Sequence, residues 1–448
     1  MASTNKKISY GSVKTYEGGT ASRISNLEAL KRSVLSTLLW EDSFYEEGEE
    51  IGKRIFRLTK TVGKENAISV LLDAKEKQKL RHTPLLMLVS MIEEGWADKH
   101  LINRIITRVD DMMELLSLYW MEGKKPVDKQ LKKGLDLAFR KFDEYSLQKY
   151  NRAKEIKLRD VLRIVRPKPI SAEQSDLWGR VVKNALETPK TWETMLSAGK
   201  GKKKSFEELL DTNMLGDLAF LRNLRGMEEA GVDRVKVKES FQKRNWKYII
   251  PFQFITASQH APRFEPELEE AMFSCLKNVE KMPQSASLLV DVSGSMQQLI
   301  SAKSEVRRQT VAVSLAMIAR ELIPEMNIYT FAGSCSFVPA RHGFALRDAI
   351  GNFNGGSTEM WGAIRYVAKT EGKKDLMIVI TDEQTQDTGH FSDANASLLV
   401  IINIGPHEKG VAYEKGVLHI NGWSEHVLEY LREYIAQNWA GKETSDQV

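Results

Sequence analysis

The segment from Ser287 to Met296, SLLVDVSGSM, joins an apolar run to a turn crowded with oxygen donors. Leu288 to Val290 reads as a buried central strand of a parallel sheet, and Asp291, Ser293 and Ser295 follow at alternate positions. Where a strand ends the chain leaves the sheet, so short side chains in that spacing can converge on one point, and Gly294 permits the tight curl. One carboxylate with two hydroxyls carries too little charge to hold a divalent ion. Two later stretches supply more. NGGSTE, from Asn354 to Glu359, presents Thr358 just before a helical pattern, and the apolar run Leu376 to Ile380 leads through Thr381 to a second carboxylate, Asp382. Two carboxylates and three hydroxyls form a hard, oxygen-only donor set suited to Mg²⁺ or Mn²⁺. A plainer role for Asp291 and Ser293 is to cap a turn and the following helix. A phosphoryl-transfer centre with Asp291 as nucleophile would want a second carboxylate two residues on, and Ser293 stands there.

The order D-x-S-x-S, then Thr, then Asp resembles the metal-ion-dependent adhesion site of von Willebrand factor A domains, and all five positions match. The resemblance implies that Asp291, Ser293, Ser295, Thr358 and Asp382 ligate the metal. It also implies that one coordination position is left for an acidic group on a protein partner, hence ligand capture rather than catalysis.

Length and composition fit two or three domains with real cores: 448 residues, 42% apolar and 28% charged. Two cysteines, Cys275 and Cys335, are too few for a disulfide framework, and no Cys/His cluster has zinc spacing. The opening MASTNKKISYG lacks the apolar core of a signal peptide, and no run approaches the roughly 20 apolar residues of a membrane span. A cytoplasmic protein without a membrane partner is expected, which argues against an adhesion receptor. The net charge of +5 is unevenly spread. From Ser285 onward 14 Lys/Arg face 19 Asp/Glu, a net of −5, so the rest carries +10. A basic first part points to an anionic partner.

From Leu27 the pattern turns helical: Leu27, Leu30, Val34 and Leu38 share a face, and Ile51 to Leu58, Ala67 to Leu80 and Pro84 to Ile92 keep that rhythm. Strand-like alternation is scarce before about residue 245. Stacked, HEAT-like helical pairs are expected. Lys200 to Lys204 reads as a basic loop, with Ser205 and Glu208 as a capping box opening the next helix. From about Ala286 strands and helices alternate, with a helix around Val306 to Leu322 and a strand from Met326 to Phe331. A helix then starts at Met360, a strand runs from Ser397 to Ile404, and a last helix lies near Ser424 to Trp439. That alternation gives a mostly parallel sheet covered on both faces, with its site outside the carboxyl ends of the strands.

A second resemblance spans nearly the whole chain. EGGT (Glu17 to Thr20), LLWEDSFYEEG (Leu38 to Gly48), RHTPLL (Arg81 to Leu86), LRDVLRIVRPKP (Leu158 to Pro169), TWE (Thr191 to Glu193) and LGDLAFLRNLRGM (Leu215 to Met227) together resemble a TROVE module. This is the RNA-binding module of the Ro autoantigen family, usually followed by a von Willebrand A domain. The resemblance implies a multidomain chain: a TROVE helical-repeat ring over residues 1–284, then a Rossmann-like α/β von Willebrand A domain over 285–448. It further implies single-stranded RNA 3′ ends entering the ring and Y-like noncoding RNA on its outer face.

Between Lys124 and Lys168 there are 15 Lys/Arg against 6 Asp/Glu. Lys149, Arg152, Lys154, Lys157, Arg159, Arg163, Arg166 and Lys168 crowd the end of that stretch, and Arg152, Arg159, Arg163 and Arg166 fall near helical spacings that would turn them one way. An arbitrary basic run is usually a solvated helix face, but a dense one releases counterions on binding phosphates and so holds RNA. The stretch resembles the family helix that contacts Y RNA: Lys149 and Tyr150 match its Lys-Tyr pair, Ala153 stands at its Arg position and Arg166 at its His. The expected function is a non-enzymatic RNA-binding scaffold or chaperone of small ribonucleoproteins in RNA quality control. The alternative is a metal-dependent protein-interaction module of an ATPase or chelatase-type assembly, for which no G-x-x-x-x-G-K-[S/T] loop is present. A nuclease would want paired acids near the basic surface. None of the eight His residues suggests an acid–base pair, and His82, beside Pro84, reads equally as a helix cap or as a ligand.

Overall fold

The computed structural model describes residues 13–15, 20–21, 25–35, 48–77, 79–151, 155–187, 189–198, 201–246, 249, 251–277, 280–300, 305–351, 356–405, 407, 411, 416–422 and 426–439. Residues 17–19 of EGGT, residues 38–47, residues 152–154 and residues 354–355 of NGGSTE lie outside the described residues. The chain forms two compact units. One comprises Met1–Thr37, Glu41–Gly48 and Leu276–Val448, and the other Leu38–Trp40 and Glu49–Cys275. The N-terminal segment, expected with the helical region, therefore joins the sheet-bearing unit, and its side-chain bonds below give the reason.

The N-terminal segment contributes an antiparallel pair, β1 (Val13–Lys14) and β2 (Thr20–Ala21), followed by helix α1 (Asn26–Leu35). The helical unit opens with α2 (Gly48–Thr61), α3 (Lys64–Leu72) continuing into a π-helical turn at Asp73–Lys77, α4 (His82–Glu93), α5 (Lys99–Ile105) and α6 (Val109–Tyr119). It continues with α7 (Lys129–Phe139), α8 (Glu144–Tyr150), α9 (Leu158–Val165), α10 (Ala172–Val182) and α11 (Trp192–Ser197). Its last five helices are α12 (Lys202–Asp211), α13 (Asp217–Glu229), α14 (Arg234–Gln242), α15 (Pro251–His260) and α16 (Glu265–Leu276).

These helices are short and bury one stripe each. Ile51, Ile55 and Leu58 of α2, four and three residues apart, are fully withdrawn from water, whereas α4 is apolar on all sides and buried from Thr83 to Ile92. Neighbours in sequence pack on one another: α3 on α4, α4 on α6, α5 on α7, and α9 on α6, α7 and α10. The α5–α7 contact is close because Gly134 carries no side chain. A Cβ there would stand 2.5 Å from Ile102 Cγ2. Lys202 to Lys204 form the first turn of α12 rather than a loop. The left-handed Gly201 (φ 86°) turns the chain into the helix before the lysines, so Ser205 is buried inside it and the expected capping box does not form.

The sheet unit is built on six strands. After β3 (Ala286–Asp291), α17 (Arg308–Leu322) and β4 (Met326–Phe331) come β5 (Cys335–Val338) and α18 (Gly343–Gly351). Then follow α19 (Met360–Glu371), β6 (Lys374–Thr381), β7 (Ala396–Asn403), β8 (Val417–Asn421) and α20 (His426–Trp439). The order across the sheet is β5-β4-β3-β6-β7-β8, with every pairing parallel except β4–β5. Strands β5 and β8 and helix α18 stand outside the sequence-based expectation. Leu289, Tyr329, Phe331, Met377, Val379, Leu399 and Ile401 pack against Met360, Trp361, Ile364 and Val367 of α19. The intervening Leu288, Val290, Ile378, Ile380, Val400 and Ile402 are equally buried, so both sheet faces are covered. The chain runs from β3 outward to one edge, then returns to β6 and runs to the other. The crevice between the carboxyl ends of β3 and β6 is thus the topological switch point, where open α/β sheets bind ligands.

Candidate metal centre and basic face

Asp291 is the last residue of β3, and Asp382 directly follows β6. The parallel register, with Val290 beside Ile380, brings Asp291 alongside Thr381, whose hydroxyl donates to Asp291 Oδ2 at 2.6 Å. The Ser293 backbone N–H donates to Asp291 Oδ1 at 2.9 Å, and the Ser293 and Ser295 hydroxyls lie 3.4 Å apart. Ser295 also hydrogen-bonds Asp382. Thr358 precedes α19, and its carbonyl accepts from Thr385 Oγ1 at 3.1 Å and Gln386 N at 2.8 Å. Gly294 N donates to Gly356 O at 3.3 Å, which ties the Ser293 turn to the Thr358 loop. All five predicted donors lie at this edge and are buried.

Several partners went unread in the sequence. Arg308, the first residue of α17, donates from Nη1 to Asp382 Oδ2 at 3.2 Å. His407 Nε2 lies 3.0 Å from the same guanidinium nitrogen and 3.4 Å from Asp382 Oδ2. Next in sequence, the fully buried Glu383 pairs with Arg32 of α1 and, at 3.1 Å, with His419 Nδ1, and it accepts from Val411 N at 3.0 Å. Arg32 Nε donates to His407 O at 3.1 Å, and Thr15 Oγ1 to Thr385 O at 2.6 Å, which fastens the N-terminal segment to this unit. The expectation that no histidine pairs with an acid is therefore corrected at His407 and His419, and also at His82, which contacts Glu114 rather than capping a helix. These pairings join positions far apart in sequence, so no local pattern announces them.

The two site carboxylates are electrostatically unequal. Burial, and then the charge of Asp382, pushes Asp291 well above the usual carboxylate range; its Ser293 and Thr381 donors offset this only partly. Burial also acts to raise Asp382, but His407, Arg308 and Ser295 outweigh it and hold that carboxyl low. Among the described residues no cationic side chain pairs with Asp291. A buried acid lacking a counter-charge among the described residues, with hydroxyls grouped around it, fits a divalent cation. No cluster of three His, Cys, Asp or Glu occurs among the described residues, so a metal here relies on the hydroxyls.

The basic residues do not form one helical face. Helix α8 ends at Tyr150 and α9 begins at Leu158, so no single helix carries both Lys149 and the Arg159, Arg163 and Arg166 group. The Lys157 N–H donates to Asp160 Oδ2 at 3.0 Å, starting α9, and Arg166 adopts a left-handed conformation (φ 52°) that ends it. Lys149, in the last turn of α8, holds its ammonium 5.8 Å from the Tyr145 ring and 5.7 Å from the Tyr150 ring. Arg159 is half-buried, with Nε 3.9 Å from Asp160, whereas Arg163, Arg166 and Lys168 are exposed. Arg152 and Lys154 lie outside the described residues. Among the described residues no helix is long and apolar enough to cross a membrane.

Residues 172–322 match the TROVE domain, a span running from α10 in the helical unit through α17 in the sheet unit. No curated protein matches the sequence at a significant level. Among solved structures the fold is similar to that of the Ro (RSR) protein of Deinococcus radiodurans, with a TM-score of 0.60 and 18% sequence identity, over 90% of this chain and 97% of that one.

Proposed function

We propose that the chain, whose residues 172–322 match the TROVE domain, is an RNA-binding protein of the Ro/TROVE kind that works as a scaffold or chaperone of small ribonucleoproteins, by binding rather than turnover. The TROVE match carries this reading. The fold, a helix-rich unit joined to a von Willebrand A-type sheet, supports it. A Y-like noncoding RNA occupies the basic face, where the exposed Arg163, Arg166 and Lys168 meet phosphates and Lys149, Lys157 and Arg159 add positive field. A single-stranded 3′ end occupies the opening of the helical ring, and the protein acts in the cytoplasm.

The sheet unit supplies a second binding function. Asp291, Ser293, Ser295, Thr358 and Asp382 would hold Mg²⁺ or Mn²⁺, and the bound ion would present an open coordination position to an acidic side chain of a protein partner. The chain's own groups prepare that site: Thr381 and the Ser293 N–H orient Asp291, and the Gln384 N–H donates to Asp382 Oδ1 at 3.3 Å.

RNA binding is tested by gel shift of a labelled hairpin bearing a free 3′ tail, titrated with salt. Arg163→Glu/Arg166→Glu is expected to weaken binding by roughly tenfold or more at moderate salt and to reduce the log–log salt slope by about two. The blunt hairpin is expected to bind more weakly than the tailed one. Salt-independent binding, or equal binding by the double variant, would overturn the assignment to this face; indifference to the tail would leave one continuous groove as the better account.

A further inference from the structure

Arg308 stands where two general preferences oppose it. As the first residue of α17, with no acidic residue in that first turn, it puts a positive charge at the positive end of a fifteen-residue helix. Its side chain is also withdrawn from water, 5% exposed, against an Asp382 that is wholly buried. Its position is fixed from both directions. The Arg308 N–H donates to Gln298 O at 2.9 Å, closing the loop that follows the Ser293 turn, and Nη1 reaches Asp382 Oδ2 and His407 Nε2. Asp291, on the other side of the crevice, has no such cation among the described residues. The fixed positive charge therefore sits on one of the two carboxylates that a divalent ion would use.

We infer that Arg308 is a resident counter-cation of this centre, which shares Asp382 with the divalent ion and so sets its affinity. Asp382 keeps one oxygen engaged by the guanidinium, so a divalent ion held by Asp291 and the hydroxyls would meet a like charge at the carboxylate it shares. The same guanidinium holds the Asp382 carboxylate in place without metal. The site trades metal affinity for a permanently organised edge, and Asp291 is left as the carboxylate whose charge only the metal satisfies. This inference rests on the metal reading above.

The test is calorimetric titration of the full chain, stripped with chelator, with Mn²⁺ and with Mg²⁺ at neutral pH and fixed ionic strength, for wild type, Arg308→Gln, Arg308→Met, Arg308→Lys and Asp291→Ala. Removing the like charge is expected to tighten Mn²⁺ binding by about tenfold or more in the Gln and Met variants. The Lys variant, which keeps the charge, is expected to stay within about threefold of wild type, and Asp291→Ala to lose binding. If wild type binds and both neutral variants bind no more tightly, the role of Arg308 is overturned while the metal reading stands. If neither wild type nor the neutral variants bind, the metal reading itself fails. Should the neutral variants fold only poorly without metal, saturating Mn²⁺ is expected to restore their thermal transition, and failure to do so counts against the inference.

Discussion

Glu371 shows how one side chain can tie three elements of the sheet unit together. At the end of α19 it accepts from Tyr329 Oη and, at 2.6 Å, from Asn327 Nδ2, both on β4, and it pairs with Lys374 of β6 at 3.4 Å. Burial acts to raise its carboxyl, but those donors prevail and hold it below the ordinary value of 4.5. A depressed folded-state value means stability that is present above pH 4.5 and is lost as pH falls through the folded value. Glu371→Gln is expected to lower stability at neutral pH by about 1–2 kcal/mol in denaturant unfolding. The gap from wild type should shrink when unfolding is repeated well below pH 4.5; a gap constant with pH would contradict this origin. At the same scale, the donors of the metal edge were readable because Asp291, Ser293, Ser295 and Asp382 follow apolar runs at strand ends, a local pattern. Arg308, His407 and Arg32 were not, because Arg308 reads as an ordinary helix residue, and only folding across 74 positions sets it on Asp382.

Helix α7 packs closely on α5 through Gly134. In an isolated helix Gly134→Ala would gain about 1 kcal/mol from propensity. Here the new methyl would stand 2.5 Å from Ile102 Cγ2, 2.6 Å from Ile102 Cβ and 3.3 Å from the Lys99 carbonyl, a clash with a branched side chain and with backbone. Overpacking of this kind costs about 1–3 kcal/mol. The substitution is therefore expected to destabilise the helical unit in thermal unfolding, and to cost less when introduced into an Ile102→Ala background than into wild type. A stabilised single variant would show that α5 and α7 separate freely. Element by element, the long periodic or apolar stretches were legible, since α4, α17, β3, β4, β6 and β7 each bury a continuous set of side chains. The short edge strands β5 and β8 have too few residues to show alternation. The end of α8 and the start of α9 were masked by a run of basic residues that keeps helical spacing from one to the other.

The division of the chain into units could not be read linearly, because α1 is separated from its partners by the entire helical unit. Arg32 is 1% exposed against a wholly buried Glu383, and removing one member of such a pair leaves an uncompensated charge. Because His419 and the Val411 N–H remain on Glu383, Arg32→Met is expected to cost about 3 kcal/mol, at the low end for buried pairs. The loss should appear as a lower unfolding transition of the sheet unit, followed by a probe near Trp361, with the helical unit's transition unmoved. A shift of the helical transition instead would place α1 in the other unit. Arg32 and Glu383 also lie 351 positions apart in the chain. At a synthesis rate of roughly 5–20 residues per second, α1 leaves the ribosome about 20–70 seconds before Glu383 exists. During that interval it is an amphipathic segment without its acceptor, while the helical unit behind it can already fold. The sheet unit is thus the last part of the molecule to close, and that closure must draw back the earliest piece of chain to be made.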